Sequence, residues 1–182
     1  MPAGLEMKVS GAATRAARIV DGLSAAGVSL AASLPESCLP EVLHAVDGAA
    51  GITHVRVTRE DDGAAVCAGA ALAGRRAALV CQNAGILLAT NGLAAYTLYH
   101  QLPFLIVAVA RGGPDDGHGY QAYKGQVTVP VLQALGLPHH WIDGPGDDYI
   151  IPQAMNQAWL HRRPVVVLCT RRALRGDLDE TA

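Results

Sequence analysis

The sequence predicts an α/β fold: an open, mostly parallel sheet flanked by helices on both faces. Two observations carry this expectation. Strand-length and helix-length segments alternate along the chain, the pattern of a sheet built from strand–helix–strand units. The clearest strands are continuous apolar runs, which suits strands buried on both sides rather than on one.

The elements follow in order. Residues 11–26 place Ala16, Ile19, Val20 and Leu23 at helical spacing, and Gly27 ends that helix. Residues 28–33 read as a short strand. Pro35-Glu36-Ser37 is a turn, with Ser37 placed to cap a helix that reaches about Val46. Residues 52–57 alternate as a strand. Thr58 is the expected N-cap of an alanine-rich helix over 60–73. A turn at Gly74-Arg75 leads to a buried strand over 77–81, a loop over 82–85 and a helix over 86–99. Residues 103–110 are the clearest buried strand, followed by a glycine- and aspartate-rich loop over 111–119. A helix over 127–135, a short strand over 138–142, a helix over 149–162 and a strand over 164–169 complete the pattern. One domain over 8–171 is expected, with 1–7 and 172–182 as frayed termini.

Composition excludes several classes. Only 4% of residues are aromatic, so alanine and glycine fill much of the core and let helices pack closely. Net charge is −2 with no basic stripe, which argues against nucleic acid as a partner. The four cysteines lack CxxC spacing, and three lie inside apolar runs, so buried free thiols are expected rather than disulfides or a metal site. No apolar segment follows Lys8 as in a signal peptide, and no apolar run approaches the roughly 20 residues of a membrane span. A cytoplasmic protein without membrane contact is the expectation.

In open sheets of this type, ligands gather at the carboxyl ends of strands. That edge should carry residues 34–37, 58–62, 82–85 and 111–126. Two readings of Arg59-Glu60-Asp61-Asp62 stand side by side. Carboxylates in a helix's first turn complement its dipole, and Thr58 with Asp61 approximates a capping box. Alternatively, an acid at a strand's carboxyl end, entering an apolar helix, serves as an acid–base group. Gln82-Asn83-Ala84-Gly85 is either a polar turn or a set of amides that can bind a heterocycle. Gly117-His118-Gly119-Tyr120-Gln121-Ala122 fits G-x-G-x-x-A, but it follows its strand too distantly for a dinucleotide turn. The loop around it collects Arg111, His118, Tyr120, Tyr123 and Lys124, as a solvated loop or as a lid. His139-His140 lacks companions at metal spacing and reads as a surface or partner contact. Met7, Met155 and the two tryptophans read as packing or interface residues.

Three segments taken together, VTREDDGAAVCAGAALAG, ALVCQNAGILLATNGLAAY and LPFLIVAVARG, resemble the pyrimidine-binding domain of thiamine diphosphate enzymes. More narrowly, they resemble the alpha chain of sulfopyruvate decarboxylase and the matching half of phosphonopyruvate decarboxylase. SLPESCLPEVL resembles the family's valine-proline-aspartate-serine turn, and KGQVTVPVLQALGLPHH the segment after its active-site loop. The likeness runs from about residue 10 to 170.

The resemblance implies a role for named residues. Glu60, nine positions before Gly69, matches the family's glutamate, which exchanges a proton with a ring nitrogen of the cofactor; Asp61 and Asp62 do not match. Gln82, Asn83 and Gly85 match the family's cofactor-binding Q-N-S-G segment, with Ala84 in place of serine, and Asn91 matches a later asparagine. A G-D-G segment for Mg²⁺ and diphosphate is not found here, so those groups are expected on a beta subunit, in a heteromer with at least two copies of each chain. The implied reaction is decarboxylation of a 2-oxo acid, with carboligation (acetolactate synthase-like) or a non-catalytic nucleotide-binding or regulatory module as open alternatives. An anionic substrate group would call on Pro35, Ser37, Arg111, His118 and Lys124.

Overall fold

The computed structural model describes residues 11–144 and 146–175. Its strands are β1 (Leu30–Ser33), β2 (Thr53–Arg56), β3 (Ala77–Gln82), β4 (Leu105–Ala110), β5 (His139–Ile142) and β6 (Val165–Thr170). They form a single sheet in the order β2-β1-β3-β4-β6-β5. Every neighbouring pair is parallel. The expected mostly parallel sheet is therefore parallel throughout.

Parallel pairing forces each connection to cross a face, and helices do the crossing. Helices α1 (Gly11–Ala25), α2 (Pro40–Asp47), α6 (Ile150–His161) and α7 (Arg171–Arg175) pack on one face, while α3 (Glu60–Leu72), α4 (Asn83–Gly92) and α5 (Ala122–Ala134) pack on the other. The strands feed both cores by simple alternation. Val80, Val107 and Val167 point into the first core, and Leu79, Ile106 and Leu168 into the second. This explains why the central strands read as unbroken apolar runs. No helix among the described residues is long and apolar enough to cross a membrane.

Chain direction across the sheet reverses between β1 and β3. The connection from β1 runs outward to β2, whereas that from β3 runs the opposite way to β4. The carboxyl ends of β1 and β3 therefore open a crevice, the usual place for a ligand in such sheets.

Several local expectations are corrected. Helix α2 starts at Pro40, not at Ser37; Leu39 is its N-cap residue, and no side chain caps it. Proline in the first turn supplies the helical φ without wasting an N–H, and the Ser37 hydroxyl turns instead to Glu36 at 3.3 Å. Thr58 does not cap α3: Arg59 holds the extended cap position, and Asp61 is engaged by Arg59. The 82–85 loop is absent, because α4 begins at Asn83, whose own side chain accepts the Ala84 N–H at 3.1 Å. The helix expected to reach residue 99 changes to a π-helical segment at Leu93–Leu98. Gly92 permits this: a Cβ there would stand 2.7 Å from the Tyr96 ring, which folds back over it. Helix α5 starts at Ala122, ahead of the expected residue 127. Residues 172–175, expected to fray, belong instead to the helix Arg171–Arg175; the expectations for 1–7 and 176–182 lie outside the described residues.

Phe104 is the chain's single phenylalanine and is fully buried under the α3–α4–α5 layer. Phe104→Ala is expected to cost about 3–5 kcal/mol of stability, measured by urea denaturation. A loss below about 1 kcal/mol would mean that the second core collapses around the gap.

Candidate functional site

Glu60 is the first residue of α3. Its side chain lies directly on Gly85. A Cβ at position 85 would overlap the Glu60 Cγ and stand 2.7 Å from both Cδ and Oε1. Gly85 is thus glycine because the carboxylate occupies the space a side chain would need. The neighbouring acids have other partners or none. Asp61 receives two hydrogen bonds from Arg59, at 3.0 and 2.9 Å, and Asp62 is exposed. The Tyr96 hydroxyl donates to the Asp61 carbonyl at 3.0 Å, pinning the first turn of α3 to the π-helical segment. Such segments recur at functional sites.

Gln82 ends β3, beside the crevice. Its Oε1 is buried and has no hydrogen-bond partner among the described residues. A buried acceptor left unsatisfied is costly. Together with the Glu60 carboxylate, it suits a ligand that presents N–H groups on a planar ring.

Asn83 has a different job. It is buried, and its amide is wholly engaged within the chain. Nδ2 donates to the Arg111 carbonyl at 3.1 Å and to Thr128 Oγ1 at 3.0 Å, while Oδ1 accepts from the Ala84 and Arg111 N–H groups. Asn83 ties α4 to the end of β4 and to α5, which commits its side-chain amide within the chain. Asn91 is exposed on α4.

Arg111 opens the long loop after β4 but is not an unpaired cation. Its Nε donates to Asp116 Oδ2 at 2.6 Å, its Nη2 to Asp116 Oδ1 at 3.1 Å, and its Nη1 to Glu36 Oε1 at 3.3 Å. Asp116 also accepts from the Gly112 N–H at 3.0 Å. The Arg111 guanidinium holds the Asp116 carboxyl well below the usual carboxylate range, and the Asp116 hydrogen bonds raise Arg111 in turn. This bidentate clamp folds the loop onto itself.

The five candidate anion-binding residues separate into groups. Ser37, Arg111 and His118 line one cavity of about 310 Å³, together with Cys38, Arg171 and Arg175. Lys124 does not join them; its ammonium sits 5.2 Å above the Tyr120 ring. Pro35 is exposed and does not line that cavity. A second cavity of about 490 Å³ shares Arg111 and Arg171 with the first and is walled by Trp141, Leu168 and Thr170.

Sequence reasoning missed Glu36 and Asp116, whose roles appear only once the loop closes on the β1 turn. It also missed Arg171, which follows the last strand at the same edge and could have been found by the rule that picked out the other segments. A further arrangement joins Ser33, His54 and Asp47. Asp47 Oδ1 is 2.6 Å from His54 Nδ1, and His54 Nε2 is 2.7 Å from the Ser33 hydroxyl. Ser33 is only 1% exposed, so this set ties β1, β2 and α2 together rather than offering a nucleophile. Burial pushes the thiols of Cys67 and Cys169 up to about 12, and all four cysteines are free. His140 is held by Gln157 at 2.7 Å.

The Asp116 clamp has a sign that can be tested. Its folded carboxylate is more acidic than an unfolded one at about 3.9, so its stabilisation is complete above that pH and is lost as pH falls below it. Asp116→Asn is expected to flatten the fall in stability between about pH 4 and about pH 2, followed by urea denaturation across pH. Parallel pH dependence in parent and variant would remove Asp116 from this role.

No family model matches the chain. It is 36% identical over 127 residues to the sulfopyruvate decarboxylase subunit alpha of Methanothermobacter thermautotrophicus, covering 69% of this chain and 76% of that protein. It is 33% identical over 171 residues to the phosphonopyruvate decarboxylase of Streptomyces viridochromogenes, covering 92% of this chain but 43% of that one. In fold it is similar to 2-oxoglutarate:ferredoxin oxidoreductase from Magnetococcus marinus, with a TM-score of 0.71 and 20% identity over 91% of this chain and 29% of that chain. The identity and coverage shared with the first of these are what assign the chain, which belongs to the sulfopyruvate decarboxylase alpha-subunit family.

Proposed function

We propose that this chain is the pyrimidine-binding alpha subunit of a two-chain, thiamine diphosphate-dependent 2-oxo acid decarboxylase. Its substrate is sulfopyruvate or phosphonopyruvate, and its products are carbon dioxide and an aldehyde. The observation that carries this reading is the Glu60 carboxylate seated on Gly85, next along the edge from the unsatisfied Gln82 Oε1. One carboxylate and one spare acceptor match the ring nitrogen and amino group of an aminopyrimidine. The relatives, named as decarboxylases, supply the reaction class.

When bound, thiamine diphosphate supplies the carbon nucleophile and the electron sink that decarboxylation of a 2-oxo acid requires. The chain's own residues have narrower tasks. Glu60 hydrogen-bonds the ring nitrogen N1′ and holds or passes a proton there. Gln82 Oε1 accepts an N–H of the ring's amino group. Gly85 keeps the seat of Glu60 clear. Asn83 holds the start of the 111–118 loop at the strand edge. The diphosphate and its Mg²⁺ belong to a beta subunit, in a cytoplasmic heteromer with at least two copies of each chain.

The chain alone is expected to be inactive on sulfopyruvate and phosphonopyruvate, and co-purification with its beta subunit to restore carbon dioxide release. Product analysis with an added acceptor aldehyde separates this reaction from carboligation. In the restored complex, Glu60→Gln is expected to lower kcat by about 10²–10⁴-fold. Turnover near that of the parent would refute the assigned role. Gly85→Ala, which displaces the carboxylate without removing it, is expected to lower kcat while circular dichroism shows an intact fold.

A further inference from the structure

The cavity of about 310 Å³ lies between the turn after β1, the loop after β4 and α7. Three arginines and a histidine line it against a single carboxylate, that of the exposed Glu41. Arg111 forms one wall and is fixed there by Asp116 and Glu36. Each of its nitrogens makes one bond to a carboxylate, and its two terminal nitrogens each keep a second hydrogen.

Arg171 is the unexplained member. Its side chain is only 10% exposed. Nη1 donates to the Asp115 carbonyl at 2.6 Å, and the nearest carboxylate oxygens stand at 3.5 and 3.9 Å. Its Nε is buried without a partner among the described residues. A buried charged donor with no acceptor is costly, so an acceptor from outside the chain is expected there. Arg175, four residues on, lines the same cavity and makes no ion pair among the described residues. The Ser37 hydroxyl and the Cys38 thiol complete a polar lining.

We propose that this cavity binds a tetrahedral oxyanion head group, a sulfonate, phosphonate or phosphate, through Arg171 and Arg175, with Arg111 as a fixed wall. Planar guanidinium forks match such oxyanions in geometry as well as charge. The volume is at the lower end for ligand sites, which span about 300–1,000 Å³; it suits a small acid rather than a nucleotide. The site is also placed for a short substrate. Glu36 follows β1, Gly85 follows β3, and these strands are neighbours. A head group beside Glu36 and Arg111 and a reacting carbon near Glu60 would thus share one crevice. Insofar as the head group is the substrate's, the proposal rests on the decarboxylase reading; anion binding itself does not.

The test uses the purified two-chain complex and isothermal titration calorimetry with phosphonoacetate and with inorganic phosphate. Phosphonoacetate is expected to bind, and its Kd to weaken about tenfold or more in Arg171→Gln and in Arg175→Gln. Arg175 is exposed, so its variant keeps the fold even if burial makes Arg171→Gln unstable. Arg56→Gln, on the outermost strand β2, is expected to leave the Kd unchanged. Competition between phosphonoacetate and substrate, with a raised KM and little change in kcat in the variants, assigns the site to the substrate's head group. Phosphate binding that depends on both arginines but does not compete assigns it to a free anion. No binding to the parent complex, or a Kd indifferent to both arginines, overturns the proposal. Arginine-dependent binding without decarboxylation leaves the anion site standing and removes the decarboxylase reading. Decarboxylation with arginine-independent binding does the reverse.

Discussion

All six strands run in one direction, so every connection must cross a face of the sheet and every strand delivers its carboxyl end to one edge. Burial on both faces leaves little room inside for polar chemistry. Glu36, Glu60, Gln82, Arg111 and Arg171 all lie at or just beyond strand ends on that edge. The reversal of strand order between β1 and β3 then opens a crevice on that edge. Remove the parallel pairing and Glu60 would have no reason to face the segment that begins with Gln82.

Within that frame the residues divide into those that are spent and those that are held in reserve. Asn83 spends its whole amide on backbone and Thr128. Asp116 spends both oxygens on Arg111, Gly112 and His118. Gln82 Oε1 and Arg171 Nε remain unsatisfied although both are buried. A folded chain tolerates few such atoms. Gln82 Oε1 is an acceptor at the end of β3 and Arg171 Nε a donor just after β6, so the two call for chemically different ligand groups.

The layer order was legible because the central strands are unbroken apolar runs and the helices between them are amphipathic or alanine-rich. Glu60 was separable from Asp61 and Asp62 by its spacing to Gly69 within a family resemblance. Local physics alone could not have done this, since any of the three acids suits a helix start. The failures share a cause. Ser37 and Thr58 are good caps in isolation, but Pro40 and Arg59 decide where the helices begin. Arg111 reads as a substrate cation until the loop brings Asp116 back to it, and no spacing rule announces a contact of that kind. Asn83 matches a cofactor motif, yet its amide faces inward because α4 starts three residues earlier than the turn-like composition suggests.

Cys38 adds a consequence of a chemical kind. Cys67, Cys81 and Cys169 are sealed in the two cores, whereas Cys38 is half-buried and lines the arginine-rich cavity. Thiol-directed electrophiles that meet this chain in its native state therefore find one accessible thiol, and it stands beside Ser37 and Arg171. Burial has given the molecule a single address for covalent labelling, so a spin probe or fluorophore attached there would report on that cavity and nowhere else.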